Sequence, residues 1–248
     1  MRLKLISCEV FTREVCHCVA RSPHVIDLEF TEKGQHEHPE VLRAHLQARI
    51  DACAATAKYQ AILLCFGLCG NATLDLQAKS VPLVIPRAHD CCTLFLGGKE
   101  AFTEHFSHRP SARFTSTGYM ERGEDSFAHD PSTISQSMGG GKSYEGYVRD
   151  YGEENARYIW ETLHASCQHF DKSITFIDIP ETSHLGGARQ CEAKAGAEGL
   201  TYSILPGSLS LIEKLIYGDW HQKDFLIVQP GQRIAGLYDW DEIVAAKE

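Results

Sequence analysis

The sequence predicts a three-layer α/β fold of two Rossmann-like lobes, each with a mainly parallel sheet, and a cleft between them. Three observations carry this expectation. Short apolar runs with strand composition alternate with stretches of helical spacing. The alternation occurs twice, on either side of an irregular middle. Two of the runs, 61–66 and 81–85, each end in a segment that cannot continue a strand and is loaded with reactive side chains. The boundaries fall at 1–110 for an N-terminal lobe, 111–145 for an irregular connection or lid, and 146–248 for a C-terminal lobe.

Residues 2–10 (RLKLISCEV) alternate and then turn apolar, as a first strand ending at Cys8-Glu9 does. A helix follows to about Arg21, with Thr12 as its cap. Residues 24–30 (HVIDLEF) form a second strand, and Pro39 suits the first turn of the next helix. That helix, 40–58, places Leu42, Leu46, Ile50 and Cys53 on one face at helical spacing. The strands at 61–66 and 81–85 come next, then a single helix over 91–106. Between 107 and 144 the period is lost among Gly118, Gly123, Pro131 and Gly139–Gly141. A helix resumes over 144–170. The C-terminal part then reads as strand 174–179, helix 187–198, strand 200–205, helix 209–217 and strand 225–228.

Several function classes are excluded by composition. A net charge of −9, with no Lys/Arg-rich patch, argues against a nucleic-acid surface. No apolar run approaches the ~20 residues that span a bilayer, and the N-terminus lacks a basic-then-apolar signal pattern. A cytoplasmic location is expected. Ten cysteines in a long chain of this kind read as reduced thiols rather than a disulfide scaffold. Cys53 and Cys65 have the setting of core residues, and Cys16-His17-Cys18 points in different directions around a helix.

The chemistry concentrates between 62 and 96. In an open α/β sheet, ligands sit beyond the carboxyl ends of the strands. Cys8, Cys69 and Cys91 each fall at or just past such an end, so parallel pairing brings them to one rim. With His89 or His36 they compose a tetrahedral zinc site or an iron–sulfur cluster with one non-cysteine position. Buried, uncompensated thiolates are costly, so a metal or another cation must balance them. The competing account is that Cys8 and Cys69 pack and His89 is hydrogen-bonded. Arg87 suits a carboxylate or phosphate, and Asp90 suits the orientation of a histidine. An Arg87–Asp90 ion pair is the structural alternative. Gly67, Gly70 and Asn71 expose backbone N–H groups suited to an anion, which makes a small acidic ligand the expected substrate. The stretch 137–143 (SMGGGKS) has Gln136 in place of the first glycine of a phosphate loop and no strand before it.

The motifs SCEV, GQHEHP, FGLCGN, IPRAHDC followed by LFLG, YGEENARYIWE, LIEKLIYGDW and FLIVQPG together resemble domain-of-unknown-function family 1638, over nearly the whole chain. The resemblance implies an intracellular α/β protein whose relatives often occur beside corrinoid proteins and their methyltransferases. By motif matching it implies Cys8, Glu9, His36, Cys69, Arg87, His89, Asp90 and Cys91 as the functional set.

Three functions follow. The first is a zinc or iron–sulfur protein of one-carbon metabolism, either a methyltransferase-type enzyme or an accessory protein with a corrinoid partner. There Cys8, Cys69, His89, Cys91 and His36 hold the metal, and Glu9, Arg87 and Asp90 serve catalysis. The second is a metal-independent, racemase-like enzyme using a thiol from each lobe, with Cys191 the second-lobe thiol. The third is a corrinoid- or metal-binding module without turnover.

Overall fold

Alternation along the first strand divides the molecule into layers. In β1 (Arg2–Cys8), Leu3 and Leu5 enter a core with Val10, Phe11 and Val15, while Ile6 enters another with Leu42, Leu46 and Ile50. β3 (Ala61–Cys65) splits the same way, Leu63 and Cys65 to the first core and Ile62 and Leu64 to the second. Both faces of this sheet are therefore covered at β3, which explains why that strand (AILLC) is a continuous apolar run in the sequence, whereas β1 still carries Lys4. A computed structural model describes residues 1–33, 38–107, 112–123, 173–237 and 242–248, with Val148 and Glu153.

The first sheet has the order β2-β1-β3-β4-β8. β2 (Val25–Thr31), β1, β3 and β4 (Leu83–Pro86) are parallel, and β8 (Phe225–Val228) runs antiparallel beside β4. α1 (Thr12–Arg21) carries the chain from β1 outward to β2, burying Val15 and Cys18 in the first core. α2 (Pro39–Ala54) brings it back to β3 across the opposite face, burying Leu42, Leu46 and Ile50 in the second. The connections thus diverge between β1 and β3. That divergence opens a crevice beyond the carboxyl ends of these two strands, where ligands of open α/β sheets bind.

The second sheet, β5-β6-β7, is also parallel. It comprises β5 (Phe114–Thr115), β6 (Ser173–Asp178) and β7 (Thr201–Pro206), with α6 (Gly187–Ala197) packing Cys191 and Ala195 on Ile174 and Phe176. Ile177 and Ile179 of this unit join the first core, so the two sheets share buried surface. The three-layer α/β class with two mainly parallel sheets is the one that the sequence predicts.

Some elements differ from expectation. The strand at Phe225–Val228 extends the first sheet, not the second, and α7 (Ser210–Tyr217) packs its buried Leu211, Ile212, Leu215 and Ile216 on the same core as Leu63 and Val84. A four-residue apolar strand carries no sequence mark of its partner or direction. The single helix expected over 91–106 is two, α3 (Cys91–Leu96) and α4 (Lys99–Phe106). Gly97 ends the first at φ +83°, and the N–H groups of Gly97 and Gly98 donate back to Leu94 and Thr93. Thr12 does not cap α1. Its hydroxyl donates to the carbonyl of Glu9 (2.6 Å), closing a 3-10 turn over Glu9–Phe11. Within 111–145, residues 112–123 hold β5 and α5 (Thr117–Glu121). The rest of that connection, the segment 137–143, His36, and the helix expected over 144–170, apart from Val148 and Glu153, lie outside the described residues.

Candidate functional site

Three strand ends converge on one pocket. β1 delivers Cys8, and the 3-10 turn that follows aims the Val10 and Glu9 backbone N–H groups at its sulfur. Beyond β3 the chain stays zipped to the loop after β4. Leu68 N–H donates to Ala88 (2.9 Å) and Cys69 N–H to His89 (3.1 Å). This close approach requires Gly67, since a Cβ there would stand 2.7 Å from the Asp90 Cα. The chain then turns through three consecutive left-handed residues, Cys69 (φ +46°), Gly70 (+65°) and Asn71 (+70°). Two of these are not glycine, at a cost of order 1 kcal/mol each or more, and strain of this kind collects where a loop is held for a purpose. After β4, Asp90 caps α3 by accepting from the N–H of Thr93 (3.1 Å), which sets Cys91 on the first helical residue.

The pocket between these ends has a volume of about 320 Å3. Cys8, Cys69, Cys91, Asp90 and Gly70 line it, so five of the residues singled out in the sequence meet there. Phe11, Leu42, Phe66 and Phe114 supply apolar walls. Thr31 lies beside Cys8 in the strand register, and its buried hydroxyl has no hydrogen-bond partner. Tyr119, on α5, closes the far side with its Oη 2.6 Å from the Cys91 Sγ. Glu32 completes the lining on the side of β2.

The electrostatics of this lining have one sign. Among the described residues that line the pocket, every titratable group is an acid and none is a base. Burial pushes all three thiols up: Cys8 above its ordinary value, Cys69 to about 12, and Cys91 well up. Val10 N–H partly offsets the effect at Cys8, and the charges of neighbouring thiols and Asp90 add to it at the other two. Burial also raises Asp90 and Tyr119. Such a pocket disfavours an anion, against the acidic ligand expected from the glycine loop, because each entering negative charge meets incipient negative charge and no compensating cation. Thiols, carboxyl and phenol are, however, a donor set suited to a thiophilic cation, which displaces their protons. As the side chains stand, no group of three His, Cys, Asp or Glu among the described residues is close enough to hold an ion.

Other residues singled out in the sequence are placed elsewhere. Arg87 neither pairs with Asp90 nor lines the pocket. Its guanidinium donates to the carbonyls of Gln222, Glu242 and Val244 and pairs with the Glu242 carboxylate, fastening the hairpin of β9 (Arg233–Gly236) and β10 (Val244–Lys247) to β4. The His89 ring lies 6.2 Å from that of Phe102 on α4 and is not among the pocket-lining residues. Glu9 accepts from the Lys33 N–H (2.8 Å) and faces Arg122 (3.7 Å), bracing the loop after β2. The Asn71 carbonyl accepts from Arg43 (2.7 Å). Cys191 packs with Ile174 and Phe176 and does not reach the pocket, so the thiol pair of a racemase-like site is not assembled from it. Thr31, Glu32, Phe114 and Tyr119 were not legible as pocket residues in the sequence. The one local signal was Ser116, three residues before Tyr119, whose hydroxyl caps α5 by accepting the Tyr119 N–H.

A family model described as a protein of unknown function, DUF1638, matches residues 30–216. The chain belongs to the DUF1638 family. The matched span takes in every pocket-lining residue of this DUF1638 protein except Cys8 and Phe11. No curated protein and no solved structure matches the chain. Among the described residues, no helix is long and apolar enough to cross a membrane.

Proposed function

We propose that this DUF1638 protein binds a thiophilic metal, zinc or the iron of an iron–sulfur cluster, on Cys8, Cys69 and Cys91. The observation that carries the reading is that three thiols from three different strand ends line one pocket whose described lining has no base. Empty, these thiols stay protonated because burial penalises their anions; a metal ion supplies the missing charge. Asp90, next to Cys91 in the chain, adds an oxygen donor to the lining, and Tyr119 competes with the metal for the Cys91 sulfur. Three protein ligands leave a position open, so a bound zinc supplies Lewis acidity to a thiol or water. The apolar walls exclude water from that position, and the acidic lining admits neutral or cationic substrates in preference to anions. Methyl transfer with a corrinoid protein as partner is the reaction that the family resemblance favours; a carrier of the same metal without turnover is the second reading.

Metal analysis of protein purified without oxygen tests this, on the wild type and on Cys69→Ala and Cys91→Ala. Near-stoichiometric zinc, or iron with visible absorption, that falls sharply in both variants supports the site. Equal metal in all three proteins, or none in any, would overturn it.

A further inference from the structure

The first turn of α1 buries a carboxylate that the thiol pocket does not use. Glu14 is 1% exposed, and neither of its side-chain oxygens has a hydrogen-bond partner. A buried acceptor left unmade is expensive, and a native structure that retains one calls for an explanation. Glu14 lines a second cavity of about 490 Å3, within the range of small-molecule sites. This cavity opens where α1, the end of α5 and the loop after β6 meet, a junction between the two sheets.

Charge on this cavity is unevenly committed. Arg13 is held by Glu121 through a bidentate pair (2.7 and 2.6 Å), and Arg122 donates to Thr12 (3.2 Å) and faces Glu9. Both arginines are thus engaged. On the acidic side, Glu14 has no partner, and Glu181 on the rim has no ion pair among the described residues. His17 and His184 also line the cavity; apart from these histidines, three carboxylates face two arginines, an excess that is buried at the Glu14 end and exposed at the Glu181 end.

We propose that this cavity is a second binding site, for a compact organic cation whose guanidinium or primary ammonium group is received by Glu14. A guanidinium meets a carboxylate with two parallel N–H···O bonds, so a side-chain rotation that turns the two sealed Glu14 oxygens into the cavity satisfies both at once. Glu181 faces a second donor or charge at the outer end, and the volume accommodates several carbon atoms between them. A bound cation at this junction ties α1 to the segment that follows β6, so ligand also stabilises the fold. The site does not depend on the thiol pocket or on its metal.

Agmatine, which carries a guanidinium at one end and an ammonium at the other, is the probe, with glutarate as the anionic control. Binding to the full chain is followed by saturation-transfer NMR and by thermal shift. The expected result is saturable agmatine binding with a raised melting temperature, weakened about tenfold or more by Glu14→Gln. Glu181→Gln should weaken it less, Cys69→Ala should leave it unchanged, and glutarate should not bind. Glu14→Gln is nearly isosteric, and circular dichroism establishes that it folds; Glu181→Gln, on the surface, provides the second reading should it not. Agmatine binding that is absent at millimolar concentration, or that survives both substitutions undiminished, overturns the proposal, as does tighter binding of glutarate.

Discussion

The sulfur of Cys91 lies 2.6 Å from the phenolic oxygen of Tyr119, although 28 residues separate them in the chain. The contact joins the helix that follows β4 to a short helix outside the first sheet. Because the hydroxyl favours the thiolate, Tyr119→Phe should push the Cys91 thiol further up and slow its alkylation. Iodoacetamide labelling at mildly alkaline pH, read by peptide mass mapping, checks this. The stability cost should be about 1 kcal/mol, the net worth of one hydrogen bond. Faster labelling of Cys91 with unchanged stability would mean that Tyr119 shields the thiol without bonding to it.

Metal affinity should depend steeply on pH. Cys8, Cys69 and Cys91 are all raised, so each is a thiol at neutral pH and must release its proton to ligate. With three such protons the apparent zinc affinity rises by up to about a thousandfold per pH unit until the thiols titrate. Competition against a chelator across the neutral range measures the slope. A pH-independent affinity would be incompatible with ligation by these thiols.

Glu14 makes stability fall with rising pH. Burial raises its carboxyl from the ordinary 4.5 to about 7, so between these values the folded chain keeps a proton that the unfolded chain has lost. The penalty is absent below about 4.5, grows toward 7 and is constant above it. Glu14→Gln removes the ionisation, and should therefore stabilise the ligand-free protein by up to roughly 3 kcal/mol at pH 8 and by almost nothing at pH 4. Urea unfolding of both proteins over this range gives the difference directly.

Gly118→Ala should be severely destabilising. A Cβ at Gly118 would stand 1.8 Å from the carbonyl oxygen of Val10, a backbone atom that cannot swing aside as the end of a flexible side chain does. The expected loss is on the order of 3 kcal/mol, or a detached α5 with Tyr119 withdrawn from Cys91. Chemical denaturation separates the first outcome from the second when combined with the labelling rate at Cys91.

Much of this architecture is written locally. The run at Ala61–Cys65 announces a buried strand because neither face meets water, and parallel pairing then makes the meeting of Cys8, Cys69 and Cys91 a matter of topology. Arg87 was misleading for the opposite reason. Its neighbours in sequence, His89 and Asp90, suggest a polar constellation, yet its side chain finds its partners about 150 residues away in Glu242 and Val244. Tyr119 and Thr31 belong to the pocket only through long-range packing, and no periodicity in the sequence marks them. The antiparallel strand Phe225–Val228 was visible as a strand, but its partner was decided by which edge of β4 remained to be covered.

The fastening of Arg87 to the final hairpin sets an order on maturation. The loop that bears Asp90 and Cys91 begins at the residue next to β4, and β4 is clasped on its outer side by β8 and through Arg87 by the carbonyls of Glu242 and Val244. During synthesis, which proceeds from the N-terminus, Cys8, Cys69 and Cys91 emerge long before that clasp exists. A nascent chain therefore displays all three thiols before β8 and the final hairpin have covered the outer edge of β4.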